Sequence, residues 1–163
     1  MKKIYSFVAA LVVAMVVFVS CGSGLAFEKE IDEMTAAVSA KDYAKLLSTG
    51  NTILTGKDKA TAGDLVSAGL LLSTAVAQQQ QAGQVDAQNA IDLYTKASEL
   101  FTAGKSKSDY QKVVDAFKAK GQDIEALANN LPQAITAFKN AIEAQAQQAA
   151  AAEEGEEGEE DAE

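Results

Sequence analysis

The sequence predicts an all-α fold of about six antiparallel helices arranged in three hairpins, and three observations carry that prediction. From Phe27 onward the apolar residues recur at i, i+3, i+4 and i+7, the period of one face of a helix. Residue types that start and stop helices stand between these stripes. Ala and Gln are abundant, Pro132 is the only proline, and β-branched residues are concentrated in the first twenty positions, a bias that favours helix over strand in the rest of the chain.

The stripes run in chain order. Phe27, Ile31, Met34 and Val38 form the first, and Tyr43, Leu46, Leu47, Gly50, Ile53 and Leu54 the second. The third runs through Leu65, Ala68, Gly69, Leu72, Ala75 and Val76, widened by Val66, Leu70 and Leu71. A helix apolar around most of its girth belongs in the middle of a domain. Gln78 to Gln81 then read as a hydrophilic end to that segment. Ala87, Ala90, Ile91, Tyr94, Ala97 and Phe101 form the fourth stripe, with Asp92 and Lys96 placed for an i, i+4 ion pair on its surface. Tyr110, Val113, Val114, Phe117, Ile124, Leu127 and Leu131 form the fifth, and Ala134, Ile135, Phe138, Ala141 and Ile142 the sixth.

The boundaries carry their own signals. Ser39-x-x-Asp42, Thr61-x-x-Asp64 and Ser106-x-x-Asp109 each pair an N-cap hydroxyl with an acidic residue three positions on, a capping-box variant. Gly56, Gly83 and Gly104 stand where the second, third and fourth helices end and a left-handed residue is wanted. Pro132 suits the first turn of the last helix. Short links make neighbours antiparallel and group the helices as 27–54, 63–101 and 107–148.

Ahead of this domain lies a different kind of segment. Met1-Lys2-Lys3 is positively charged, Ile4 to Val19 is an uncharged and largely apolar run, and Ser20-Cys21-Gly22-Ser23-Gly24 is small. That order is the order of a secretory signal, and the run is short for a membrane span. Phe18-Val19-Ser20-Cys21 resembles a lipobox, the processing signal of bacterial lipoproteins, with Phe18 where Leu is commoner. The resemblance implies lipid transfer to the Cys21 thiol, cleavage after Ser20, and acyl chains that fix the protein to a membrane at about 0.8 kcal/mol per buried methylene. Gly22 is not the Asp that often marks inner-membrane retention in such proteins. The resemblance therefore points to the outer membrane, with the domain on its periplasmic face. Gly24-Leu25-Ala26 leaves a second possibility open, ordinary cleavage after Ala26 and a soluble chain starting at Phe27. As the only cysteine, Cys21 has no partner for an internal disulfide. The expected organisation is a signal peptide over 1–20, a lipidated linker over 21–26, a helical domain over 27–150 and a tail over 151–163.

Within the helical domain, Ala90, Tyr94 and Ala97 in Asn89-Ala90-Ile91-Asp92-Leu93-Tyr94-Thr95-Lys96-Ala97 form a small–aromatic–small triple, and Ala134, Phe138 and Ala141 repeat it. The pattern resembles the second helix of a tetratricopeptide repeat, where small residues admit a close neighbour and the aromatic fills the next groove. Lys41-Asp42-Tyr43 is similar to the entry of another such helix, although Leu46 and Gly50 depart from the pattern. The two good copies stand 44 residues apart by their first alanines (134 − 90), against about 34 in that family. The resemblance implies a superhelix of stacked hairpins and a protein-binding role. A compact bundle whose Ala and aromatic positions are simply core remains the other possibility.

What the chain lacks narrows its chemistry. It has no His and no Arg, so neither a Ser–His nor a Cys–His nucleophile pair can be assembled, the commonest transition-metal ligand is missing, and so is the side chain that reads phosphates and guanine edges bidentately. No cofactor, no metal, no catalytic residue and no nucleic-acid partner is expected. Glu28, Glu30, Asp32 and Glu33 read as a solvated, dipole-compatible helix start. Of the net charge of −9, the eight acidic residues among Glu153 to Glu163 contribute −8, whereas residues 22–152 hold 15 acidic and 12 basic residues. With Gly155 and Gly158 interspersed, this tail is expected to be a disordered, solubilising segment. The reading that results is a lipid-anchored, non-catalytic interaction module of the cell envelope, or else a structural bundle with no dedicated groove.

Overall fold

A computed structural model describes residues 25–156, with side chains described as far as residue 149. The leader, Cys21 and residues 157–163 lie outside the described residues. Six helices lie among the described residues: α1 (Glu28–Ala40), α2 (Tyr43–Thr55), α3 (Ala62–Gln81), α4 (Ala87–Lys105), α5 (Tyr110–Lys118) and α6 (Ile124–Glu156). No strand occurs among the described residues, so the fold class is all-α.

Each helix forms where an apolar stripe meets a cap. In α1 the stripe of Ile31, Met34, Ala37 and Val38 is buried. The helix stops at Lys41, whose φ of 58° is left-handed, with the Asp42 N–H donating to the Ala37 carbonyl at 2.9 Å. Asp42 then caps α2 by accepting from the Lys45 N–H at 2.9 Å. Thr61 and Asp64 cap α3 reciprocally, as the spacing predicted. Asp86 accepts from the Asn89 N–H at 3.1 Å at the start of α4, and Asp123 from the Ala126 N–H at 2.8 Å at the start of α6.

The centre of the molecule is α3. It buries Leu65, Val66, Leu72 and Val76 on different sides, and the hydroxyls of Ser73 and Thr74 are accommodated by donating to the Gly69 and Leu70 carbonyls at 2.9 and 2.8 Å. It packs on α1, α2, α4 and α5, while α4 packs on α2, α3 and α6. Gly69 lets the Phe101 ring of α4 reach the α3 backbone. Close packing of this kind gives one continuous core that runs from α1 to α6.

The last two helices are arranged differently from the expected third hairpin. The boundary falls at residues 119–123, not at Pro132. Gly121, with φ of 79°, ends α5 in a left-handed turn in which the Gln122 N–H donates to the Phe117 carbonyl at 3.0 Å. Pro132 therefore sits inside α6. Pro132 is exposed there, while Ile124 and Leu131 hold the helix against the core on its other side. The orientation of α6 follows from two contacts. Lys105 Nζ lies 3.5 Å from Asn129 Oδ1, and the rings of Tyr94 and Phe138 have centroids 6.1 Å apart. Residue number rises along α6 as it falls along α4, so these two helices are antiparallel and α5 is a short piece between them.

Other local expectations are corrected by the same kind of contact. Ser39 lies within α1 and donates to the Thr35 carbonyl, leaving Asp42 itself as the cap of α2. Ser106 ends α4, donating to the Ala103 carbonyl at 2.6 Å, and the Asp109 carboxylate turns away from α5. Gly83 is left-handed at 66°, but Gly56 has φ of −84° and Gly104 lies inside α4. Gly104 is small for another reason: a Cβ there would touch Val66 and Leu65 of α3 at 3.4 and 3.5 Å.

Candidate functional site

The side chains of most functional interest gather at one end of the array, where α1 and α3 begin and α2 and α4 end; we call it the basal end. Its organising group is the carboxylate of Asp64, which is fully buried. One oxygen, Oδ2, accepts from the Thr61 N–H and the Thr61 hydroxyl, both at 2.8 Å, closing the cap of α3. The same oxygen accepts from the Ala26 N–H at 3.2 Å, and Oδ1 accepts from the Phe27 N–H at 3.1 Å. A buried carboxylate is expensive unless its lone pairs are used, and here four donors and the positive end of α3 use them. The consequence is that the chain entering the domain is tied to the central helix before α1 starts.

Neighbouring contacts extend this junction. Leu25 packs over Gly63, where a Cβ would come within 3.2 Å of its side chain, and the Phe27 ring occupies the space beside Gly56. Asp109 accepts from the Ala62 N–H at 3.3 and 3.2 Å, supplying a second carboxylate to the first turn of α3. Lys107 Nζ donates to the Lys57 carbonyl at 2.6 Å. Segments 25–27, 56–61 and 105–109 are thereby joined into one surface.

The remaining candidates are distributed elsewhere. Cys21 is outside the described residues, four positions before Leu25. Among the described helices none is long and apolar enough to cross a membrane. In α1, Glu33 pairs with Lys45 at 2.8 Å and with Lys29 at 3.8 Å, and the hydrogen bond and charge of Lys45 hold its carboxyl below the ordinary value. No group of three or more His, Cys, Asp or Glu residues that could hold a metal ion occurs among the described residues. The expected Asp92–Lys96 pair does not form: Lys96 turns to Glu99 at 2.6 Å, and Asp92 accepts from Gln88 at 3.0 Å. Gln79 is buried rather than part of a hydrophilic end. Its Nε2 donates to Asn89 Oδ1 and its Oε1 accepts from the Asp86 N–H, both at 3.4 Å, so it fastens the turn between α3 and α4.

The two small–aromatic–small triples do meet, though not in the manner of successive repeats running the same way. Ala90, Tyr94 and Ala97 are buried in α4, Ala134 and Phe138 are half-buried in α6, and Ala141 is exposed. Tyr94 and Phe138 face one another with ring planes inclined at 45° across antiparallel helices. Burial pushes the Tyr94 hydroxyl up to about 12. No protein-family model matches the chain, and neither a curated protein nor a solved structure does.

Two features of the site escape sequence reasoning. The pattern Thr61-x-x-Asp64 identifies the cap, but nothing in the spacing says that the same carboxylate takes the backbone of residues 38 and 37 positions upstream. Asp109 is likewise a cap by pattern and a tertiary acceptor in fact, 47 positions from its donor.

Proposed function

We propose that this chain is a lipid-anchored protein of the cell envelope that works without catalysis as a protein-interaction module, held through acyl chains on Cys21. The observation that carries the reading is the place of that cysteine. It is the only one in the chain, it closes an apolar leader that opens with two lysines, and it stands four positions before Leu25, which packs against Gly63. The docking of Leu25 and Ala26 supports processing at Cys21 over cleavage after Ala26. Such cleavage would remove a packed side chain and one of the Asp64 hydrogen bonds. The outer membrane, with the domain on its periplasmic face, is the proposed location, since Gly22 rather than Asp follows the cysteine.

For the non-catalytic part, the support is chemical inventory: a chain without His or Arg offers few ways to move protons near neutral pH or to hold anionic substrates. An interaction role rests on the exposed polar faces of a rigid helical array and on the resemblance of the Ala90 and Ala134 segments to tetratricopeptide helices. A purely structural bundle is the second reading, and the antiparallel packing of α6 on α4 favours it, because that arrangement continues an up-and-down array instead of stacking a third parallel pair.

Affinity capture from membranes separates these readings, comparing the intact protein with Cys21→Ser. An envelope protein enriched by the intact chain and lost with Cys21→Ser is the expected result. Equal, non-specific recovery by both forms removes the interaction reading and leaves the structural one.

A further inference from the structure

Resting on the lipid-anchor reading, we propose that the basal end of the domain faces the bilayer, so that α3 stands upright on an anionic membrane surface. The first argument is tether length. From Cys21 to Leu25 there are four residue steps, which span at most about 14 Å even when fully extended. At Leu25 the chain is already against Gly63, and the next two amides are held by buried Asp64. The anchor therefore enters the domain at the start of α3, and α3 itself rises about 30 Å from that point at 1.5 Å per residue. The turn between α3 and α4 lies beyond the tether's reach of the headgroups unless the whole domain tips over.

The charge of the basal end suits a bilayer-facing placement. Its rim carries Lys29, Lys57, Lys59, Lys105 and Lys107 together with Glu28, Glu30, Asp58 and Asp109, a mixture of both signs that an anionic surface does not repel. Upright placement satisfies the short tether and brings this mixed rim to the headgroups.

The test uses the full-length lipidated protein on phosphatidylglycerol-containing vesicles with a quencher attached to the lipid headgroup. Acylation of Cys21 leaves an engineered cysteine as the only free thiol, so Lys59→Cys at the basal end and Val85→Cys at the opposite end can each be labelled uniquely; both positions are exposed. Vesicle flotation is measured first. The expected result is flotation of both variants and quenching several times stronger at position 59 than at position 85. Flotation with equal quenching, or with stronger quenching at 85, overturns the orientation while the anchor stands. Failure to float overturns the anchor and the orientation with it.

Discussion

Gly69 and Gly104 show how one residue type serves two packing demands on facing helices. At Gly69 an added Cβ meets three atoms of the Phe101 ring at 3.1 to 3.2 Å, and that ring is buried. Gly69→Ala is expected to destabilise the protein by about 1 to 2 kcal/mol despite alanine's better helix propensity. At Gly104 the nearest atoms stand at 3.4 Å or more. Gly104→Ala is expected to be neutral or to stabilise by up to about 1 kcal/mol. Urea titration of both variants checks the pair, and the opposite ranking would contradict the packing described. Tyr94 supplies a pH prediction. Its hydroxyl titrates near 12 in the folded protein against 10 when free, so the folded state holds the proton longer. Stability from this group is complete below pH 10 and is lost as pH rises from 10 to 12, by about 2 to 3 kcal/mol. Tyr94→Phe is expected to flatten that alkaline limb in a pH series of denaturation curves.

At the level of elements, the first four helices are legible in the sequence because each carries an apolar stripe, joined at α3 by a capping box that forms as its spacing predicts. The stripe of Ile31, Met34 and Val38 and the box of Thr61 and Asp64 are local, and local patterns survive folding. The fifth and sixth divide elsewhere than the sequence suggests, because Pro132 is a strong breaker in sequence terms, whereas Gly121, the real stop, lies between Phe117 and Ile124, whose spacing of seven continues one helical stripe across it. Whether a proline ends a helix depends on which face it occupies, and that is known only once α6 lies on α4. Lys41 hides its role in the same way, as a left-handed terminator of a type that rarely takes that conformation. Asp64 joins elements and offers a direct test. An Asn side chain presents one carbonyl and one amide to a site holding only donors, so Asp64→Asn is expected to cost about 2 to 4 kcal/mol. Amide exchange at Ala26 and Phe27 should accelerate more than at buried α4 amides such as Leu100; unchanged exchange at those two positions would contradict the tie between the linker and α3.

For the whole molecule, the all-α architecture and the centrality of α3 follow from periodicity and composition, while the direction of α6 and the docking of the linker do not. Both depend on contacts between residues far apart in the chain, Lys105 with Asn129 and Phe27 with Asp64, which no single-chain pattern encodes. The tetratricopeptide-like segments are visible as motifs, and their mutual packing through Tyr94 and Phe138 is not. Attachment to a membrane is the premise on which location and orientation both rest, and it concerns one sulfur atom. The deciding measurement is the intact mass of the mature chain purified from its membrane fraction. The expected species begins at Cys21 and carries the added mass of a diacylglycerol group, with or without a further acyl chain on the new amino group. A chain beginning at Phe27, or one retaining an unmodified Cys21, would contradict it.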